Sequence, residues 1–296
     1  MTTVLTVPSS LDEHTFEQVL DQLAAAPPDG KVLVDARHAT WASPYGLTAL
    51  LSLAQWRPGM AFAVPEAENT VSYWARAGFF RHAEGLYELH GHVPRMRQGE
   101  SNVLLEVTPV TGSADVHEVV GRIQQKAAQM LTTELGLDAK ATVGFAMTLS
   151  EVCQNIVEHA GQGGWVMVQS YKWAKRLGRR VVQIAVCDAG IGFRRSLESL
   201  PGRIVDDRWE DAAALEEAVI RGVSRFRDRG RGQGLAGARR YCGRWDGKLW
   251  VRSGTARIAI VPSWDDDAPL AERLAPFAGS QVLVTIPERA AAAAAS

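Results

Sequence analysis

Two rhythms of apolar positions run along this chain, and one gives way to the other after about residue 102. In the first stretch, short strand-like runs alternate with helical spacing. Val4–Val7 has the apolar content of a short strand, and Phe16, Val19, Leu20 and Leu23 fall at helical spacing within Leu11–Leu23. Pro27-Pro28-Asp29-Gly30 marks a turn before Val32–Val34, a run typical of a buried strand. Pro44 suits the first turn of a helix through about Trp56. A strand at Ala61–Val64, a helix at Asn69–Ala77 ended by Gly78, and a last strand at Leu86–Leu89 complete a small α/β unit over 1–90. Residues 91–102 (GHVPRMRQGESN) are polar, carry Gly and Pro, and lack periodicity, which predicts a linker.

From Val103 the elements lengthen. A strand at Val103–Val107 precedes helices at Asp115–Thr133 and Asp138–His159, and strands follow at Trp165–Lys172 and Val181–Cys187. After a helix at Leu235–Cys242, strands at Leu249–Arg252, Arg257–Val261 and Val282–Ile286 close the pattern. Hairpin-joined strands with helices segregated between them predict a two-layer α/β sandwich over 103–288, its mixed sheet carrying helices on one face. Residues 289–296 form an Ala-rich tail expected to fray.

Composition narrows the classes without naming one. Apolar residues make up 46% and charged residues 22%, the balance of a soluble globular protein. A net charge of −1 gives no electrostatic case for direct nucleic-acid binding or an anionic membrane. The start of the chain lacks the basic and apolar regions of a signal peptide, and the apolar run around Tyr45–Ala54 is too short to cross a bilayer. Cys153, Cys187 and Cys242 are odd in number and widely spaced, which predicts buried free thiols in a reducing, cytoplasmic setting. His82, His90 and His92 raise a metal site, but no Cys stands near them and two lie in the linker or at its edge.

Three segments carry candidate chemistry. Glu151, Asn155 and His159 recur every four residues and so share one face of a helix that is otherwise apolar. A Glu and an Asn beside a buried face need partners, and Mg²⁺ with its preference for oxygen ligands is one; the polar edge of an ordinary amphipathic helix is the other reading. Val181–Cys187 runs into Asp188-Ala-Gly-Ile-Gly192. A strand-end carboxylate accepts hydrogen bonds from an adenine amino group, and Gly190 and Gly192 let backbone approach a flat ring; the same residues also make a plain tight turn. Gly230, Gly232 and Gly234 precede a helix, a geometry that binds anions through backbone N–H groups. Arg225, Arg227, Arg229 and Arg231 either pair with phosphate oxygens or form a solvated basic loop. A P-loop is absent, because neither Gly30-Lys31 nor Gly247-Lys248 is followed by Ser or Thr.

The order of these segments, Ser150–Asn155 through His159, then Asp188–Gly192, then Gly230–Leu235, resembles the GHKL ATPases: gyrase, heat-shock chaperone ATPases, histidine kinases and MutL. The nearest flavour is the anti-sigma-factor serine kinases. Ala218–Ser224 resembles their lid, Ser253-Gly254 their strand after the glycine loop, and Gly279–Pro287 their closing Gly-Thr strand with Ser280 in place of Thr. The resemblance implies ATP and Mg²⁺ as ligands, with Asn155 on the metal and Asp188 on the adenine amino group. It places Gly190 and Gly192 at the base pocket, and Ser280 in support of the adenine. Gly230, Gly232 and Gly234 would hold phosphates, with Arg231 and Leu235 in the same nucleotide-binding loop. Glu151 corresponds to the general base, and Phe193–Arg229 to a mobile lid.

The first unit has its own likeness. Val32–Asp35, Ala39–Leu47 and Val71–Phe79 resemble a STAS domain, in which a phosphorylatable Ser precedes the Gly of a helix-opening turn; here Tyr45 precedes Gly46, and Ser43 is nearby. Together the likenesses imply a regulatory serine/threonine protein kinase or ATPase of a partner-switching pathway. Its partner would be a sigma factor or antagonist-like protein, and a homodimer is a further expectation. The alternative is a non-catalytic switch in which ATP changes conformation or dimerisation.

Overall fold

A computed structural model of the chain describes residues 2–94, 101–111, 116–159, 163–174, 176–200, 209–223 and 234–289. Strands β1 (Thr2–Thr6), β3 (Lys31–Asp35), β5 (Ala61–Ala63) and β6 (Glu88–His90) form a four-stranded sheet in the order β1-β3-β5-β6, parallel throughout. Helices α1 (Phe16–Ala24), α2 (Pro44–Trp56), α3 (Glu68–Arg76) and α4 (Phe79–Ala83) connect them, and β2 (Ser10–Leu11) pairs with β4 (Trp41–Ala42) as a small separate ribbon. The helix starting at Pro44 has the predicted bounds, because Ser43 caps it: its hydroxyl accepts the Gly46 N–H at 3.1 Å, and Pro44 takes the first turn. Gly78 separates α3 from α4 at φ +78°, a conformation that favours glycine.

The second sheet has seven strands: β7 (Leu104–Val110), β8 (Gly164–Lys172), β9 (Arg180–Asp188), β10 (Lys248–Gly254), β11 (Ala256–Ile260), β12 (Leu270–Ala271) and β13 (Phe277–Pro287), in the order β12-β11-β10-β13-β9-β8-β7. Helices α5 (Val116–Thr133), α6 (Ala139–His159), α7 (Gly192–Glu198), α8 (Asp211–Leu215) and α9 (Gly234–Arg244) accompany it, and α8 runs into a π-helical turn at Glu216–Ile220. The α/β sandwich is as expected, but this sheet is not mixed: every neighbouring pair is antiparallel. The reason is topological. The helical connection from β9 returns β10 in the same direction, but β13 inserts between them and runs opposite to both.

Alternate residues of these strands serve two different cores. Val166, Val168, Val182, Ile184, Val186, Leu249, Val251, Val282 and Val284 join the cluster that contains the residues of α5, α6 and α9. Trp165, Met167, Ala185, Cys187, Trp250, Phe277 and Leu283 join a cluster built mainly from residues 5–87. The first unit therefore covers the rear face of the seven-stranded sheet. Its central element is α2, where every residue from Pro44 to Ala54 is buried. A helix that is apolar all round requires cover on all sides, and α2 finds it against β8, β9 and β13 as well as within its own unit.

Polar contacts fix the register of this seam. Tyr73 Oη donates to Gln169 Oε1 at 2.6 Å, Trp165 Nε1 to Gln55 Oε1 at 2.8 Å, and Thr48 Oγ1 to Cys187 Sγ at 3.2 Å. The guanidinium of fully buried Arg252 grips Glu17 through Nε at 2.7 Å and Nη2 at 3.1 Å. At the far edge, Val107 N–H donates to Ala77 O at 2.8 Å and Arg81 pairs with Glu106 at 3.1 Å. Cys153, Cys187 and Cys242 are all buried free thiols. Among the described residues, no helix is long and apolar enough to cross a membrane.

Candidate functional site

Strand β9 is buried along almost its whole length and delivers Asp188 to a junction between its own turn, the end of β10 and the start of β13. The Asp188 carboxylate is satisfied from two sides: Gly190 N–H donates to Oδ1 at 2.8 Å, and the Ser280 hydroxyl donates to Oδ2 at 2.5 Å. Gln281 Nε2 bridges the Asp188 carbonyl at 3.1 Å and the Ala278 carbonyl at 2.9 Å. Burial raises the carboxyl from its ordinary 3.8 to about 6, although hydrogen bonds from Ser280 and Gly190 pull the other way. The site thus holds a desolvated acceptor that titrates close to neutrality.

Two glycines make the junction possible. Gly279 sits at φ +78°, and a Cβ there would lie 2.2 Å from the Asp188 carbonyl oxygen. Gly192 sits at φ +73°, and its Cβ would meet Ser253 Oγ at 2.6 Å. That hydroxyl is already engaged, donating to Gly279 O at 2.8 Å and accepting from Phe193 N–H at 3.1 Å. A cavity of about 550 Å³ opens beside the turn, lined by Gly190, Gly192, Ser253, Gly279 and, from the first unit, Trp56. Gly279, Ser253 and Gln281 were not assigned roles from sequence. All three stand in segments that resemble GHKL strands, Ser253-Gly254 and Gly279–Pro287, but no local pattern gives any of them a contact at this junction.

The helices meet over the other face of the sheet through small residues. A Cβ on Gly234 would fall 3.2 Å from Glu151 Cβ, and one on Gly237 would fall 2.7 Å from Thr148 Oγ1. One on Gly144 would overlap the Tyr241 hydroxyl. The last glycine of the loop thus lies directly against half-buried Glu151, which joins two of the three sequence segments. Leu235 is buried in the helix-side core. Asn155 lies one turn after Glu151 in α6; its side chain and that of His159 lie outside the described residues, as do Gly230, Arg231 and Gly232.

Of the expected lid, residues 201–208 and 224–229 also lie outside the description. The described part is anchored: Ala214, Leu215 and Val219 are fully buried, and Asp211 Oδ2 accepts from both Thr255 N and Thr255 Oγ1 at 2.8 Å. Arg239 ties the π-helical turn to α9 by donating to Ile220 O at 2.8 Å.

With this geometry in place, residues 141–289, just over half of the chain, match the Histidine kinase-, DNA gyrase B-, and HSP90-like ATPase family. The chain belongs to that family. The match spans α6, the turn after β9, the start of α9 and β13, so all the motif segments of this GHKL ATPase domain fall within it. Among curated proteins, none matches the chain. The described residues fit an adenine nucleotide on the base side: a buried carboxylate at a strand end, with glycines clearing its surroundings. Among the described residues no cluster of His, Cys, Asp and Glu is placed to hold a metal; the expected Mg²⁺ ligand, Asn155, belongs to the side chains not described.

Proposed function

We propose that this GHKL ATPase domain works as an ATP- and Mg²⁺-dependent protein serine/threonine kinase of the anti-sigma-factor type, in a cytoplasmic partner-switching pathway. The observation that carries this reading is the convergence of the motifs. Asp188, Ser280, Gly190 and Gly192 meet at one junction, and Gly234 rests on Glu151. Asp188 would accept the adenine amino group, with Ser280 holding the carboxylate in place. Bound Mg²⁺, with Asn155 as a ligand, supplies charge neutralisation on the phosphates. Glu151 would take the proton of a partner's Ser or Thr hydroxyl as that oxygen bonds to the γ-phosphorus and ADP departs.

The first unit supports a related reading, that of a STAS-like antagonist fold fused to its kinase. Its helix-opening turn lies deep in the seam: Ser43 and Tyr45 are fully buried, and the Ser43 hydroxyl caps α2. In this reading the fused unit is a fixed layer, and the acceptor belongs to a separate protein. Incubation with γ-labelled ATP, Mg²⁺ and candidate partners tests the proposal. Label is expected on the partner for the native protein, with Glu151→Ala retaining ATP but losing transfer. Free phosphate alone would make the protein a hydrolase, and tight ATP binding without turnover would make it a switch; either result overturns the kinase assignment.

A further inference from the structure

The seam between the two units opens at one end into a cavity of about 420 Å³, remote from the Asp188 junction in its lining residues. Three aromatic rings wall it. Trp41 meets Tyr171 edge-on at 6.0 Å, and Tyr171 meets Trp173 at 6.3 Å and 72°. Two carboxylates line the same space, Asp12 and Glu13. The Glu13 side chain is only 5% exposed, and its carboxylate lies 3.6 Å from the His14 imidazole, beyond hydrogen-bonding distance. Lys248, the buried ammonium nearby, is already held by Asp265 at 3.0 Å and Asp267 at 3.1 Å. Among the described residues, the hydrogen bonds to the Asp12 carboxylate fall on Oδ1, from His14 N, Thr15 N and Thr15 Oγ1.

Burying a carboxylate is costly, and burial raises the Glu13 carboxyl above its ordinary value against the opposing pull of Lys248, whose charge Asp265 and Asp267 share with Arg176 and Arg257. The aromatic wall already holds one cation: the Arg176 guanidinium stands 5.1 Å from the Trp173 ring centroid, its charge taken by Asp265 at 2.7 Å. Among the described residues, no cation stands over the Trp41 or Tyr171 ring. Lys172 sits exposed at the rim, where water screens it.

We propose that this cavity binds a small organic cation, a methylated or quaternary ammonium, seated against Trp41 and Tyr171 and neutralised by Glu13. Aromatic faces attract such cations through the ring quadrupole, and a desolvated carboxylate neutralises by direct Coulomb attraction a quaternary ammonium that has no N–H to donate. The site is independent of the nucleotide chemistry proposed above.

Titration of the full chain with tetramethylammonium chloride, followed by calorimetry and ligand-observed NMR against sodium chloride at equal ionic strength, tests it. Saturable binding is expected for tetramethylammonium and not for sodium. Glu13→Gln, a near-isosteric change that removes a buried charge, is expected to weaken binding roughly tenfold. Trp41→Leu is expected to weaken it roughly two- to thirtyfold, the span of one cation–π contact. Nucleotide affinity should be unchanged in both variants. Absence of saturable binding by the native chain, or undiminished binding by folded Glu13→Gln, overturns the proposal; if Trp41→Leu does not fold, Glu13→Gln alone decides.

Discussion

The two faces of the seven-stranded sheet are covered by different chemistry. The face toward α5, α6 and α9 is lined by Val, Ile and Leu, and its helices carry Glu151 and Gly234. The rear face presents Trp165, Met167, Trp250 and Phe277 to the first unit, with charged and polar groups buried among them. Aliphatic residues from strands and helices interlock with little polar content. The rear face instead meets a preformed unit, and its register is set by an ion pair and side-chain hydrogen bonds. One face carries the helices of the proposed nucleotide site; the other packs against the first unit. Asp188 and Ser280 stand where the two meet, since Cys187, the residue before Asp188, faces α2.

The hardest test of this contrast removes the ion pair. Arg252 donates to Glu17, to Gly254 O at 3.0 Å and to Ala275 O, and its guanidinium lies 5.7 Å from the Phe277 ring centroid. Arg252→Ala strands the Glu17 carboxylate and two carbonyls, so the expected loss is about 3–5 kcal/mol of folding stability. Urea unfolding measures it. A loss under about 1 kcal/mol, the scale of a surface pair, would mean that the seam is solvated and the rear face carries little.

A smaller effect is expected on the nucleotide side. Asp188→Asn should weaken ATP binding by about 1.5–3 kcal/mol, roughly ten- to a hundredfold. The carboxylate titrates near 6, so native affinity should fall as pH drops below that value, while the Asn variant stays flat. Stability moves the opposite way. With its folded value raised from 3.8, Asp188 contributes stability that is fully present below 3.8 and lost as pH rises through about 6. The variant should therefore be the more stable protein at pH 8 even as it binds ATP less well. Calorimetry across pH 5–8 and thermal melts at its two ends separate the two effects; unchanged affinity in folded protein removes Asp188 from the adenine site.

The same contrast explains what was legible in the sequence. The helix face was readable because its motifs have fixed spacing: Glu151 to Asn155 is one turn, and Asp188 to Gly192 is one turn of chain after a strand. The rear face had no motif, yet it left a signal. Trp165–Val168 and Ile184–Cys187 are unbroken apolar runs, where a sheet with one wet face would alternate. Likewise Tyr45–Ala54, polar only at Thr48 and Ser52, fits a helix covered on all sides. What no local pattern held was the pairing itself. Arg252 with Glu17, and Trp165 with Gln55, join residues far apart in sequence, and Arg252, Glu17 and Gln55 each look alone like ordinary surface residues. The antiparallel sheet was hidden for the same reason, because only the late insertion of β13 decides it.

The mildest test asks whether the rear face keeps any polar function at Tyr45, in the helix that the seam buries. Tyr45 is fully buried, and its ring packs edge-on against Trp250 at 4.9 Å and Phe16 at 6.0 Å. Among the described residues its hydroxyl has no hydrogen-bond partner, and burial pushes the phenol well above its ordinary range. Tyr45→Phe keeps both ring contacts and deletes only the stranded hydroxyl, whose desolvation costs about 1–3 kcal/mol. The variant is therefore expected to be more stable by about 1 kcal/mol, with ATP affinity and phosphoryl transfer unchanged. Urea unfolding is the measurement. A destabilised variant would show that the hydroxyl does have a partner in solution; an altered transfer rate would show that the rear face reaches through Cys187 into the nucleotide site.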